Sequence, residues 1–418
     1  MERLILFTFF YLVPLFDSMT GFLIKFHIME EASIGSPSQL IKFFLWIMFF
    51  AGFCKKSAKR KVYPFVLILL SYALYESLIA ILCDSSFYAF SYGLLTIFKV
   101  SYLWLAFLFF QNLIERRFLS INELLHLFKT NGLICVSLIF LTTALHINLP
   151  TYYVGTFGSK GLFPSGNGIS LYCGALSFLT LIIAKKEGGS KNYFQALYMI
   201  VGSSMIGTKS SIIFLLVNFL YFCFVVIKHG KIFVFIFAVG FFVANFQLFE
   251  QLFDVIFYRF KNKGTVFTFI MSSRDSFVKD AFREYDTTGF LVLRIFTGLG
   301  AFLSFRKPHT NLGFDTLEND VFDIFFMYGL IGLLAYFGII LFALKKLVVK
   351  KQLEWLAFSS AIFVYSMIAG HSVFNQTSGV LLALCPLIAK NKPSFTSVLS
   401  SQNKKRSISL WKYYSYTC

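Results

Sequence analysis

The sequence predicts an all-α polytopic membrane protein of about twelve transmembrane helices, with one long loop on the outer side before helix ten. Three observations carry this. Hydrophobic residues make up 57% of the 418 residues and charged residues only 14%, with a mean hydropathy of +0.72; a soluble domain carries about 25% charged residues. The apolar runs are continuous and roughly 17–25 residues long, the length a helix needs to cross the hydrocarbon core. Barrel strands would alternate in polarity with a period of two, and these runs do not. In lipid every backbone N–H and C=O must be paired internally, which leaves helices as the solution.

The expected spans are 4–24, 43–54, 62–83, 87–112, 131–149, 167–184, 193–207, 210–227, 232–249, 323–344, 354–371 and 376–389. The first has a short positive start and an apolar run, like a signal peptide. It lacks a small-residue cleavage site and reads as an uncleaved span. The second, seventh and twelfth are short and extend or tilt.

Orientation follows from the cationic short loops. Lys55, Lys56, Lys59, Arg60 and Lys61 form one cluster, and Arg116, Arg117 and Lys129 a second loop. Lys185, Lys186 and Lys191 follow, then Lys228 with Lys231, then Lys345, Lys346, Lys350 and Lys351, then Lys404, Lys405 and Arg406. Twelve spans put all of these on the cytoplasmic side, with both termini. The net charge of +18 therefore reports topology, and no nucleic-acid partner is expected. The seven cysteines show no disulfide framework or metal spacing.

Residues 1–390 read as one transmembrane domain, and 391–418 as a Ser/Lys/Asn-rich cytoplasmic tail expected to be disordered. The outer loop 250–322 is the anomaly. Its five arginines and four lysines balance nine acids, so it translocates regardless of charge. A structureless loop of that length is unusual, so it reads as functional and partly helical.

Chemistry could sit in four outward-facing places. Gly207-Thr208-Lys209-Ser210-Ser211 is a tight turn between spans seven and eight. Lys209 there either snorkels to the interface or serves as a fixed cation for a phosphate, helped by a helix N-terminus. Ser272-Ser273-Arg274-Asp275 offers an arginine fork suited to phosphate, or simply a solvated arginine on an amphipathic helix. The stretch NLGFDTLENDVFDIFFMYGLIG, residues 311–332, clusters Glu318, Asp320 and Asp323 just before a span. Acids at that depth are costly unless paired or used. One could act as a general base; Asn319 or Asp320 could cap the helix; a divalent-metal site is a rival. Gly370-His371, with Asn375 and Gln376, ends span eleven, where a lone histidine is more often a packing residue. The Gly- and aromatic-rich segment 150–167 is a turn or a sugar contact.

These features, in this order, resemble the bacterial O-antigen polymerase (Wzy-type) and O-antigen ligase family. The resemblance rests on Pro14, Asp17, Thr20 and Gly21 in the first span, and on the Lys160-to-Asn167 turn. It continues through the Gly-Thr-Lys-Ser turn, the Ser-Arg element, Gly298-Leu-Gly300, the Glu-Asn-Asp…Tyr-Gly-Leu-Ile-Gly stretch and Gly370-His371.

The resemblance implies a GT-C-like architecture in the bacterial inner membrane, with the active site facing the periplasm. It implies inverting glycosyl transfer from an undecaprenyl-diphosphate-linked oligosaccharide, with no metal and no cofactor. By position, Lys209 and Arg274 would hold the diphosphate. Lys160, Asn167, His309 and His371 are weaker substrate-binding candidates. A chain-length regulator is a further expected partner. The ligases place His-Asn nine residues before Gly-x-x-Gly; here that position holds Glu318-Asn319, ahead of Gly329 and Gly332. The polymerase branch therefore fits better, with Glu318 as base and Asp320 assisting; His309 or His371 is the fallback. The alternatives are ligation of polysaccharide to lipid A–core, and a flippase for the lipid-linked unit, which Asp17 and Glu76 inside spans one and three keep open.

Overall fold

The computed structural model describes residues 1–30, 35–56, 59–83, 87–151, 158–223, 274–283, 285, 291–305, 316–370, 372–393 and 395. Every regular element among them is a helix. In chain order these are α1 (Glu2–Lys25), α2 (Pro37–Lys56), α3 (Lys59–Cys83), α4 (Phe87–Glu115), α5 (Ile121–Ala144), α6 (Gly166–Glu187) and α7 (Ser190–Ser204). Then come α8 (Lys209–Tyr221), α9 (Arg274–Arg283), α10 (Leu291–Thr297), α11 (Gly300–Leu303), α12 (Asp320–Val349), α13 (Leu353–Ala369) and α14 (Gln376–Asn391).

Seven of the described helices are long and apolar enough to cross a membrane: α1 to α6 and α12. Lys209–Tyr221 and Leu353–Ile368 are shorter apolar helices. The protein is an all-α, membrane-embedded chain. Eleven of the twelve expected segments fall on described helices; the ninth, 232–249, lies outside the described residues, as does most of the tail.

One boundary moves. The fifth span was expected from residue 131, with Lys129 in the loop before it. The helix instead starts at Ile121, because Ser120 and Glu123 form a capping box. Ile121, Leu124, Leu125 and Phe128 then bury one face, and Lys129 is a buried helical residue donating to Asn192 Oδ1 at 2.8 Å.

Helix α1 contains a π turn, Thr8–Leu12, just before Pro14. Proline has no N–H to offer the carbonyl four residues back. That carbonyl, on Phe10, accepts from Asn131 Nδ2 of α5 at 2.6 Å instead. A helix defect thus becomes a bond between spans.

The helix ends sort into two faces. On the cationic face, Arg116 pairs with Glu2 at 2.5 Å and Lys390 with Glu115 at 3.0 Å. Glu354 takes Lys185 at 2.5 Å and Lys186 at 3.3 Å. Lys350 donates to the Ala389 carbonyl at 2.7 Å. The opposite face gathers the N-terminal ends of α6, α8, α9, α12 and α14 with the C-terminal end of α13.

Part of the long loop folds back into the bundle. Helix α12 breaks at Gly329 (φ 62, ψ −158), which frees the Phe326 carbonyl to accept Leu299 N at 3.2 Å and Ser304 Oγ at 2.8 Å. Gly298 lies against this break so closely that a Cβ would overlap the Met327 carbonyl. Both Oε atoms of Glu76, in α3, accept from Ala301 N, at 2.9 and 3.1 Å. Tyr75 Oη donates to the Gly298 carbonyl at 2.6 Å. The Gly298-Leu-Gly300 motif is therefore a packing joint between α3, α11 and α12.

Candidate active site

The acidic cluster at the start of α12 divides into framework and presented groups. Asp323 is fully buried; its Oδ1 accepts from Leu317 N at 2.7 Å and its Oδ2 from Asn319 N at 3.0 Å. One carboxylate thus holds the backbone on both sides of Glu318. Asn319 caps α12 through Phe322 N at 3.4 Å and donates its Nδ2 to the Met367 carbonyl at 2.6 Å. Asp320 is also fully buried. Its Oδ2 accepts from Ser366 Oγ at 2.5 Å, Ser372 N at 3.0 Å and Val373 N at 3.2 Å. These bonds tie the α13–α14 loop to α12, which is a positioning task.

Glu318 differs from its neighbours. Its backbone is left-handed (φ 54), a conformation that costs energy and persists only when surroundings enforce it. The Asp323 bonds enforce it from below. Gly370 (φ 58) enforces it from the side, since a Cβ there would overlap the Glu318 carbonyl. With the backbone held, the side chain projects outward and is 42% exposed.

Its partner is Arg274, the first residue of α9, whose side chain is 8% exposed. Arg274 Nε and Nη2 both donate to Glu318 Oε2, at 3.1 and 2.5 Å. Helix α9 is anchored by Phe282, which packs on Phe322, Phe325 and Phe326 of α12. The arginine is thereby fixed from the same helix that carries the carboxylate loop.

The Gly207–Ser211 turn adjoins this pair. Gly207 has φ 72, and Thr208 caps α8 by accepting from Ser211 N at 3.1 Å. Ser170, Thr208 and Ser210 share hydroxyl contacts of 2.5 to 2.9 Å. Lys209 is the first residue of α8 and half-buried. Tyr365, at the end of α13, connects the parts. Its hydroxyl donates to the Asn167 carbonyl at 3.1 Å, bonds to Ser210, and lies within electrostatic reach of Arg274, Glu318 and Asp320. Five of the sequence-selected residues therefore belong to one neighbourhood: Asn167, Lys209 through its turn, Arg274, Glu318 and Asp320.

Lys160 is buried nearby, with Nζ donating to the Pro164 carbonyl at 2.9 Å. That closes the turn leading into α6, whose Ser165 cap also accepts from Asn375 Nδ2 at 3.2 Å. His309 and His371 lie outside the described residues. Tyr365 and Gly370 were not selected as site residues from sequence. Nothing separates Tyr365 from the other twenty tyrosines until α13 and α8 are placed side by side. Gly370 was visible only as the neighbour of a histidine.

An apolar groove of about 770 Å³ lies between α3, α4, α12, α13 and α14, and its lining reaches Ile324 and Val373 near Asp320. Phe65, Tyr72, Trp104, Ile324, Tyr328 and Tyr336 line it. Ile324 lies about one helical turn from Asp320. Tyr336 reaches Ser366 at 2.7 Å, the serine that holds Asp320. Groove and polar neighbourhood thus share walls.

The chain matches no protein-family model and no curated protein sequence. The functional reading rests on its residues and their arrangement.

Proposed function

We propose that the protein is an oligosaccharide repeat-unit polymerase. It would transfer a growing glycan from undecaprenyl diphosphate to a new lipid-linked repeat unit, on the periplasmic side of a bacterial inner membrane. One observation carries this reading: a buried arginine and a partly exposed carboxylate meet at the face opposite the cationic loops, in a bundle that also holds an apolar groove.

The chemistry follows from that geometry. A lipid-linked donor needs room for an apolar chain and fixed cations for its diphosphate. The groove suits the first, and Arg274 with Lys209 suits the second. Glu318 takes the proton of the acceptor hydroxyl as that oxygen attacks the anomeric carbon. The bond from that carbon to the diphosphate oxygen breaks, and the diphosphate leaves as an anion held by the cations. Asp320 keeps the α13–α14 loop, and through it Gly370, against Glu318.

The flippase reading rests on Asp17 and Glu76. Asp17 in span one and Glu76 in span three both have structural partners: Lys42 at 2.7 Å and Ala301 N at 2.9 Å. Glu318, standing where ligases have histidine, favours the polymerase branch over the ligase.

The test is the lipopolysaccharide ladder of cells lacking the gene. Lipid A–core capped by a single repeat unit supports the polymerase. Bare core, with long polymer kept on the carrier lipid, means a ligase. An unchanged ladder in the null strain removes both.

A further inference from the structure

Resting on that reading, we infer that Glu318 and the donor diphosphate compete for the same edge of Arg274, so that donor binding releases the base. The argument starts from the hydrogen bonds. Both Nε and Nη2 of Arg274 converge on one oxygen of Glu318. The Nε–Nη2 edge is one of the two edges with which a guanidinium grips a phosphate. A carboxylate and a phosphate oxygen cannot occupy it together.

The asymmetry of the pair decides which partner moves. Arg274 is 8% exposed and Glu318 42%. The guanidinium sits in the protein, on a helix pinned by Phe282. The carboxylate is only partly buried, and its side-chain bonds can turn it off the guanidinium. Its backbone cannot follow, because Asp323 holds both flanking N–H groups and Gly370 abuts its carbonyl. A displaced Glu318 therefore stays within a side chain's length of the phosphate it yields to, where an acceptor hydroxyl must be deprotonated. Paired with Arg274, the carboxylate's negative charge is held by the guanidinium, which opposes its taking a proton. Released, it is a base beside a loaded donor. The contact keeps the base occupied until donor arrives.

This arrangement predicts opposite signs for binding and turnover. Titration of the purified protein in detergent with inorganic pyrophosphate, free of divalent cations, measures the first. Glu318→Gln removes the competing charge and should bind pyrophosphate roughly fivefold more tightly, the order of a partly exposed ion pair. It should also fail to extend the ladder in cells. Glu318→Asp keeps the charge but shortens the reach, so it should also bind more tightly than wild type. Arg274→Ala should lose binding.

Wild-type affinity in both Glu318 variants, with binding still lost in Arg274→Ala, overturns the competition and leaves the proposed function standing. Tighter binding in Glu318→Gln alone means general charge repulsion and also overturns it. Unchanged binding in Arg274→Ala, at a wild-type elution profile, removes Arg274 from the diphosphate site and the proposal with it.

Discussion

Two ion pairs lie toward the same face of the molecule and are built in opposite ways. Asp17 and Lys42 join α1 to α2, with side chains 4% and 9% exposed. Lys42 Nζ donates to Asp17 at 2.7 Å, to Ser38 at 2.9 Å and to Thr377 at 2.9 Å. Ser38 and Thr377 in turn donate to Asp17, at 2.5 and 3.1 Å. Every charge has several partners, and both are out of water. In the Arg274–Glu318 pair only the arginine is buried. The first pair fastens three helices, since Thr377 belongs to α14. The second leaves one partner able to exchange. A buried pair with all its bonds satisfied costs much to break and offers nothing to a ligand. A pair with one partly exposed member can exchange that member for a ligand of like charge, and the buried member keeps its place.

The comparison can be broken at four points. Lys42→Met should give the largest effect, because it strands Asp17 in the interior. We expect a loss of about 3–5 kcal/mol, read by denaturant or thermal unfolding in detergent. The double variant Asp17→Leu with Lys42→Met should be distinctly less damaged. If the single and double variants are equally stable, the pair is not the fastening we describe.

Glu318→Gln should lower chain extension by at least ~100-fold, the usual worth of a general base. Its unfolding transition should fall by much less than that of Lys42→Met, because the amide oxygen still accepts from Arg274 and the position is partly exposed. A large fall in stability would make Glu318 a scaffold residue like Asp17.

Gly370→Ala should cost about 1–3 kcal/mol, from the left-handed φ and the overlap with the Glu318 carbonyl. It should also reduce chain extension, since the carboxylate loop must shift. Full activity in this variant would show that the loop need not be held.

Glu354→Gln, on the cationic face, should change stability by under ~1 kcal/mol. Its pairs with Lys185 and Lys186 are partly exposed. It serves as the control for the other three.

The candidate site was legible in part. Arg274 and Glu318 could be selected because arginine and carboxylate near a membrane surface need a reason to be there. Their direct pairing could not, since 43 residues separate them and most of the intervening segment carries no span pattern. The roles within the acidic cluster were also hidden. Glu318, Asp320 and Asp323 look alike in one dimension. Only the partners distinguish them: backbone N–H groups for Asp323, a loop and Ser366 for Asp320, a guanidinium for Glu318. The onset of α5 at Ile121 was missed because hydropathy counts Lys129 and Glu123 against a span, whereas a capping box and a buried face count for a helix.

From the sequence alone came the solvent, the helical class, most of the spans and their shared cationic face. Those depend on composition and on charges near helix ends, which are local properties of the chain. Which acid is scaffold and which is presented, which glycine lets two backbones meet, and where an apolar groove runs depended on tertiary structure. Those are relations between helices far apart in sequence. They arise only once packing has brought α9, α12 and α13 within hydrogen-bonding distance.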